Sequence, residues 1–251
     1  MMDALYSAAT GMMAQQTSMD VVANNLANAT TTGYKRDRMD MVDLAYQPFR
    51  LPTGKDGQVG LGAAPGALGK EHEQGALQNT GRALDVAVQG EGFLQVTRPD
   101  GSLAYTRAGN LQVDANGRMG TPGGDLLQPR VTVPASATDV TIAPDGTVSA
   151  TVNGAIAKLG QIQTASFANP SGLQAAGDSV FTATANSGAP ALGVPGTANR
   201  GPLSQGVLES SNVNVGQEMI SLIVTQRAFE ASSRVVTASD EMMGMANGLR
   251  R

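Results

Sequence analysis

The sequence has no cysteine, no tryptophan and only one histidine. The absence of thiols excludes disulfide bonds and metal sites built from thiolates. His72 stands between Glu71 and Glu73. With no second histidine to complete a ligand set, we interpret this segment as a solvated charged turn rather than as a metal site. We expect neither a metal nor any other cofactor.

Charge and long apolar runs are also scarce. The net charge is −4, and no basic cluster is larger than the group formed by Lys35, Arg36 and Arg38, which argues against nucleic-acid binding. No apolar stretch approaches the ~20 residues that a membrane helix requires. Asp3 stands where a secretory signal needs a basic residue. We expect no nucleic-acid partner, no membrane insertion and no cleaved signal peptide.

The chain lacks the short motifs of common enzymes. No serine stands in a G-x-S-x-G pattern, and no Gly-Lys-Ser/Thr phosphate-binding loop occurs. Gly90 and Gly92 begin a dinucleotide-binding pattern, but Gln95 occupies the position of its third glycine. Three aspartates stand in predicted turns, where this residue is expected for backbone reasons: Asp100, Asp114 and Asp145. We therefore predict no enzymatic activity and no catalytic residues.

Near both ends, an apolar residue recurs at every seventh position. Such a repeat keeps one stripe of a helix facing a partner helix, and proline is absent from both segments. We predict helices from Asp3 to about Asn28 and from about Val215 to Leu249. The repeat residues, which we expect to form an assembly interface, are Leu5, Met12, Met19, Leu26, Val215, Leu222, Phe229, Val236 and Met243.

The first predicted helix carries little charge, since Asp3 and Asp20 are the only charged residues before Lys35. An outer face that met water would carry more charge, so we expect it to be covered in an assembly. The alternative is an ordinary amphipathic helix docked on its own domain. Several residues before the last helix are candidate N-caps: Ser210, Ser211, Asn212 and Asn214.

The middle of the chain reads as short β-strands separated by turns. Strands are predicted at Asp85–Val88, Gly92–Val96, Leu103–Thr106 and Leu111–Val113, with turns at Pro99–Gly101, Asn116–Gly117 and Pro144–Gly146. This pattern indicates an all-β meander or a small barrel. Glycine and proline between Arg50 and Ala67 predict an exposed loop or extended arm, and Ala185–Pro202 is similar.

Together these elements predict an α+β fold in which the terminal helices form a coiled-coil-like stalk and an all-β domain is inserted between them. The expected domains are a helical stalk at 1–33 plus 213–251, an arm or linker at 34–80 plus 200–212, and a β domain at 81–199.

Two motifs resemble the signatures of the bacterial flagellar rod and hook family. The N-terminal one contains Asn24, Asn25, Leu26, Ala27, Asn28, Gly33, Tyr34 and Lys35, and the C-terminal one contains Asn212, Val213, Asn214, Val215, Gln226 and Arg227. The similarity extends over nearly the whole chain, including Leu84–Phe93 and Tyr105–Gly109. Ser187–Pro190 and Glu209–Val215 are most similar to members of the distal rod. The segment Gln47–Gly69 is shorter than in those members, so a proximal rod or hook subunit remains an alternative.

The resemblance implies a structural subunit that polymerises into a helical tube, which serves as a drive shaft for motor torque and as an export channel. It implies a homo-oligomer in the periplasmic basal body, with other rod and hook proteins, the type III export apparatus and ring proteins as partners. A hypothesis from another class is a soluble carbohydrate-binding or carbohydrate-processing β protein with a terminal coiled coil.

Overall fold

The computed structural model describes residues 2–50 and 56–248, in which a helix at each end of the chain flanks a long series of strands. The chain divides into two compact units. Unit one contains Met1–Ala27, Asp37–Gly69 and Asn214–Arg251, and unit two contains Asn28–Arg36 and Lys70–Val213. The fold is therefore α+β with an inserted, mostly β region. Among the described residues, no helix has the length and apolar character needed to cross a membrane.

Two helices dominate unit one, α1 at Met2–Ala27 and α2 at Val215–Gly248. Both predicted helices are confirmed, although Leu249 lies outside the described residues. The Oδ1 atom of Asn214 accepts a hydrogen bond of 3.2 Å from the backbone N–H of Gln217, which makes Asn214 the N-cap of α2. Of the four proposed caps, only Asn214 has this role.

The two helices pack against each other in unit one. A methyl group placed on Gly11 of α1 would lie 3.8 Å from the Oγ atom of Ser232 in α2. The buried residues of both helices are mainly small, including Ala8 and Ala14 in α1 and Ser239 in α2. Small side chains permit a close approach of the two helix backbones, and they leave the larger repeat residues at the margins of the contact.

Unit one also contains four exposed strands, β1 at Asp37–Asp43, β2 at Tyr46–Arg50, β3 at Asp56–Gly60 and β4 at Ala63–Lys70. β1 pairs with β4, and β2 pairs with β3 in an antiparallel hairpin. Between Arg50 and Ala67, where an exposed loop or extended arm is predicted, the described residues form β3 and the start of β4, so this part is extended chain rather than a loop. Residues 51–55 lie outside the described ranges. Two-stranded ribbons have free edges on which glycine and proline are tolerated.

Unit two is built from short strands and one 3-10 turn at Pro170–Gly172. The strands are β5 Leu77–Asn79, β6 Val86–Val88, β7 Phe93–Thr97, β8 Leu103–Thr106, β9 Gln112–Val113, β10 Met119–Gly120, β11 Leu126–Gln128, β12 Ala137–Ile142, β13 Thr147–Val152, β14 Ala155–Gln161, β15 Thr164–Ser166, β16 Gln174–Gly177, β17 Val180–Thr182, β18 Ala191–Gly193, β19 Leu203–Gln205 and β20 Val207–Glu209. The four predicted strands are confirmed to within a residue or two at their ends.

The largest sheet has the strand order β16-β17-β8-β7-β11-β10-β9, with β15 pairing with both β7 and β18. β12, β13 and β14 form an antiparallel meander, and the two remaining pairs are β19 with β6 and β20 with β5. The carboxylates of Asp100, Asp114 and Asp145 accept backbone N–H groups within their own turns. These aspartates therefore have the structural role that the sequence predicts.

The core of unit two consists of a large aliphatic cluster and a smaller aromatic one. Leu94, Leu111 and Leu127 are fully buried in the first. Phe93, Tyr105 and Phe181 form the second, in which side chains from neighbouring strands of the large sheet meet on one face. This aromatic cluster borders the charged site described next.

Candidate functional site

Three charged side chains from distant parts of the chain meet in the interior of unit two. The Nζ atom of Lys35 lies 2.6 Å from the Oε1 atom of Glu209, and the Nη1 atom of Arg107 lies 3.3 Å from the Oε2 atom of Glu209. All three residues are buried, with exposed fractions of 1 %, 0 % and 4 % for Lys35, Glu209 and Arg107. We call these residues the ion cluster.

Backbone groups add hydrogen bonds to the ion cluster. The Oε1 atom of Glu209 also accepts the N–H of Gly75 at 3.0 Å, and Lys35 donates to the carbonyl oxygen of Glu73 at 2.5 Å. Burial lowers the pKa of Lys35, although the carboxylate of Glu209 counteracts this effect. Burial of an ion pair is tolerated when further hydrogen bonds satisfy the charged groups. Lys35 and Glu209 have such bonds, whereas the Nε atom of Arg107 has no hydrogen-bond partner among the described residues.

The local chain path explains why Lys35 reaches Glu209. The N–H of Gly33 donates to the backbone oxygen of Glu209 at 2.8 Å. Gly33 has a φ of +67°, and a methyl group there would lie 2.5 Å from the nitrogen of Ala108. Only glycine combines this left-handed conformation with such a close approach to neighbouring backbone. The glycine of the N-terminal motif thus permits the ion cluster to form.

The C-terminal motif joins the same region through Asn212. Its Oδ1 atom accepts the N–H of Arg36 at 2.7 Å, and its Nδ2 atom donates to the carbonyl oxygens of Glu71 and Glu73 at 2.8 Å and 3.3 Å. One amide side chain therefore links the segment after α1 to the segment before α2. Val213 is half-buried beside it, whereas Val215 is 44 % exposed.

The sequence-based interpretation of His72 as part of a solvated turn is wrong. Its ring packs edge-to-face against Phe93 and Phe181, with centroid distances of 5.5 Å and 5.2 Å. Burial, followed by the positive charges of Lys35, Arg107 and Lys70, lowers its pKa to about 4. Its charged neighbours in sequence suggested exposure, but the burial is produced by aromatic residues from distant strands.

Two asparagines of the N-terminal motif determine the chain path after α1 in unit one. The Oδ1 and Nδ2 atoms of Asn25 hydrogen-bond the backbone N–H and oxygen of Asp37 at 2.8 Å and 2.9 Å. Asn24 donates to the Asp37 carboxylate at 3.2 Å. Asn25 is buried, so its amide replaces backbone partners that water could not reach.

The other motif residues have varied environments. Leu26 is half-buried, Ala27 is exposed, and the Oδ1 atom of Asn28 accepts the hydroxyl of Thr31 at 3.1 Å. The ring of Tyr34 lies 4.8 Å from the ammonium of Lys70. Gln226 and Arg227 are exposed on α2, where Arg227 pairs with Glu230 at 3.1 Å.

The predicted repeat residues lie mainly on half-buried positions of α1 and α2. Leu222, Phe229, Val236 and Met243 are half-buried, and Phe229 and Val236 share a helix face with Ser232, which approaches α1. The half-buried repeat residues of α1 are Leu5, Met12, Met19 and Leu26. Within the monomer, this face is thus partly covered by the packing of the two helices.

α2 carries a second set of apolar residues that does not belong to the predicted seven-residue repeat. These exposed residues, which we call the outer face of α2, are Met219, Ile220, Ile223, Val224, Val235, Met242 and Met245. Tyr6 and Met13 of α1 are also exposed, by 55 % and 68 %. A seven-residue repeat identifies one position in seven and therefore does not include these residues. The dense apolar run around Ile220–Val224 is the sequence feature that indicates a second apolar face. An exposed apolar set of this size is typical of an interaction surface.

The described residues contain no group of three or more His, Cys, Asp or Glu side chains arranged to hold a metal ion. The ion cluster is instead held together by ion pairs, and the outer face of α2 is apolar. The ion cluster joins chain segments within unit two, and the outer face of α2 leaves apolar side chains exposed.

Comparison with known proteins gives three family matches. Residues 5–35 match a model described as flagella basal body rod protein, residues 87–150 match flagellar hook protein FlgE/F/G D1 domain, and residues 204–249 match flagellar basal body rod FlgEFG protein C-terminal. The first and last matches contain the two signature motifs.

Full-length similarity links the chain to individual relatives. It is 42 % identical to the flagellar basal-body rod protein FlgG of Borreliella burgdorferi and 36 % identical to that of Bacillus subtilis, with 100 % of each chain covered in both cases. It is 33 % identical to the flagellar basal-body rod protein FlgF of Escherichia coli, over 98 % of this chain and 97 % of the relative.

Proposed function

The chain belongs to the flagellar basal-body rod protein family, and we propose that it is the structural subunit of the distal rod, the tube that transmits motor torque to the hook. The observation that carries this proposal is the 42 % identity to an FlgG protein over the complete length of both chains. The identity to the FlgF relative is lower, at 33 %.

The helices supply the surfaces from which a tube can be built. α2 has apolar residues on two faces, one packed toward α1 and one exposed. A helix that is apolar all round belongs in an interior. Burying each exposed Ile or Met of the outer face in subunit contacts would contribute ~1.5–3 kcal/mol. We assign the coiled-coil-like stalk and inner tube to these helices, and the assembly interface to the nine repeat residues together with the outer face.

The β domain, which we expect to be barrel-like, faces outward in this proposal. The ion cluster lies between the two segments that lead to α1 and α2 in sequence, because Lys35 follows α1 and Glu209 precedes α2. A shaft needs subunits that resist deformation. Buried ion pairs make unit two rigid, because any displacement of one partner leaves an unpaired charge in an apolar interior.

The partners follow from the place of the subunit in the basal body. We propose copies of the same chain as the main partners, with other rod and hook proteins at the two ends of the tube. Export through the flagellar type III apparatus and contact with a surrounding ring complete the proposed set. The proximal rod and the hook are the alternative positions for this subunit, whereas membership of the rod family argues against the hypothesis of a soluble carbohydrate-binding protein.

Complementation tests this proposal directly. A strain that lacks its distal rod subunit is supplied with this chain, and basal bodies are viewed by electron microscopy. We expect complete rods and restored swimming. Basal bodies that stop at the proximal rod would contradict the distal assignment, and rescue of a hook-deficient strain instead would favour the hook.

A further inference from the structure

A cleft in unit two carries charge of the opposite sign to the chain as a whole. It has a volume of about 470 Å³ and is formed by the turns that follow β7, β9, β10 and β11. Three arginines and two aspartates line it: Arg98, Arg118, Arg130, Asp114 and Asp125. The cleft is therefore net positive, in a protein whose net charge is −4.

Two of these arginines are available to bind a partner. Arg118 is held by Asp114, since its Nη2 and Nε atoms lie 2.7 Å and 2.8 Å from the same carboxylate oxygen. Arg98 and Arg130 form no ion pair with any residue in the ranges that the structure describes. Guanidinium groups on the wall of a cleft favour a carboxylate, because they can donate two parallel hydrogen bonds to it.

The floor of the cleft is also polar. Asp125 is 6 % exposed, and its backbone N–H and carbonyl groups are held in the β10–β11 turn by Thr121. Burial raises the pKa of the Asp125 carboxyl. The positive charge of Arg98 opposes this effect, and the nearby charges of Asp178 and Asp100 add to it. A partner that brings both a cation and carboxylates would match this floor and the two arginines together.

The chain itself contains a segment of that composition. β1 carries Asp37, Arg38, Asp40 and Asp43 within seven residues. Arg38 and Asp40 form an exposed pair at 3.0 Å, with side chains 61 % and 57 % exposed. Asp43 is exposed and has no ion pair among the described residues.

β1 also exposes apolar side chains, with Met41 and Val42 exposed by 43 % and 47 %. Among the described strands it pairs with β4, and the side-chain amide of Asn25 hydrogen-bonds the backbone of Asp37 at the start of the strand. β1 also contacts α1. The features of the strand that suit a partner are therefore the exposed carboxylates of Asp40 and Asp43, together with the apolar side chains beside them.

We propose that the arginine cleft of one subunit receives the acidic strand β1 of a second copy of this chain. The inference rests on the proposed function, because it supposes that many copies assemble. It assigns the contact between β1 of one subunit and unit two of its neighbour to complementary charge, in addition to the apolar contacts of the helices. Complementary charge of this kind specifies orientation and register more than affinity.

Because the natural chain has no cysteine, disulfide cross-linking tests the contact cleanly. Gln112→Cys places a thiol at the cleft, where Gln112 is exposed, and Met41→Cys places one on β1. The two single variants are mixed, assembled into rods and oxidised with copper phenanthroline. We expect a disulfide-linked dimer of twice the 25.6 kDa chain mass from the mixture, and none from either variant assembled alone.

Charge changes provide the matched controls. Asp43→Lys in the β1 subunit should lower the dimer yield about tenfold, because a lysine would face the arginines. Arg98→Glu in the cleft subunit should restore it. Ile156→Cys, at a site that is 83 % exposed on another sheet, replaces Met41→Cys as the negative control. A second pair, Arg130→Cys with Val42→Cys, serves if the first prevents assembly.

Rods without a dimer from either pair would overturn the inference and leave the distal-rod proposal intact. A dimer yield that does not change with Asp43→Lys and Arg98→Glu would also overturn it. So would equal dimer yields when Ile156→Cys replaces Met41→Cys. A chain that carries both cysteines and cross-links only within itself would show that β1 occupies its own cleft. Failure of the unmodified chain to form rods would contradict the proposed function instead.

Discussion

Lys35 and Glu209 are 174 positions apart in the chain, yet their charged groups lie 2.6 Å from each other in the interior of unit two. The pair joins Lys35 of the N-terminal motif to the segment that directly precedes the C-terminal motif, and Arg107 adds the middle of the chain. Residues that resemble family signatures are thus partners in a single buried cluster. Their role in this fold is to hold three chain segments together.

Removal of the central carboxylate should strongly destabilise unit two. Glu209→Gln leaves Lys35 and Arg107 buried without a counter-charge, which costs about 3–5 kcal/mol. Urea unfolding of the monomer, followed by circular dichroism, measures the loss. Glu230→Gln is the matched control, because it breaks the exposed pair with Arg227 and should cost less than about 1 kcal/mol. Equal losses in the two variants would show that the ion cluster contributes nothing special.

Acid should weaken unit two through His72. The pKa of this residue is about 4 in the folded chain, against 6.5 for the free side chain. Between pH 6.5 and pH 4, His72 is therefore protonated in the unfolded chain but neutral in the folded chain. The free energy of unfolding should fall as the pH drops through this range. The fall should reach about 3 kcal/mol at most, since one pKa unit corresponds to about 1.4 kcal/mol.

His72→Phe isolates this effect, because phenylalanine cannot titrate and suits the neighbours Phe93 and Phe181. The pKa values of Asp100, Asp114 and Asp145 are lowered from 3.8. Their effect on the free energy of unfolding therefore changes mainly below pH 3.8, outside the pH range in which His72 titrates. Burial raises the pKa of Asp125, which has the opposite sign but is common to both proteins. An unfolding free energy that depends on pH equally in both proteins between 6.5 and 4 would refute the prediction.

A methyl group at Gly33 should disrupt the site more than one at another left-handed glycine. Gly33→Ala introduces both a strained φ of +67° and a collision with the Ala108 backbone. Gly124→Ala has a similar φ of +90° but nothing within 4 Å. We expect about 1–2 kcal/mol for the strain in both variants, with a further 1–3 kcal/mol for the collision at Gly33 alone. Thermal unfolding compares them, and equal melting temperatures would exclude the collision.

The helices and the four strands could be predicted because their signal is local: a seven-residue repeat, absent proline and turn residues between apolar runs. The partners of Lys35 could not, since no local pattern indicates that Glu209 and Arg107 fold beside it. The environment of His72 was predicted wrongly for the same reason. Glu71 and Glu73 are its neighbours in sequence, whereas Phe93, which packs against it, is distant in sequence. The outer face of α2 was not predicted, because Ile220 and Ile223 do not stand at positions of the seven-residue repeat.

Charge placed on the outer face of α2 should prevent assembly without harming the monomer. Ile223 is 57 % exposed, so Ile223→Glu should change the unfolding free energy of the monomer by no more than about 0.5 kcal/mol. In a tube, the same carboxylate would be buried without a partner in every subunit contact, where each costs several kcal/mol. Gln226→Glu, at an exposed polar position on the same helix, adds the same charge and controls for its general effect.

Monomer unfolding and electron microscopy of the assembled material give the two readouts. We expect normal monomers and no rods with Ile223→Glu, and normal rods with Gln226→Glu. Met19→Glu should also block assembly, but Met19 is half-buried, so its monomer should be destabilised as well. This difference separates the two faces: the repeat residues contribute within the subunit, whereas the outer face contributes only between subunits. Normal rods with Ile223→Glu would remove the outer face from the assembly interface.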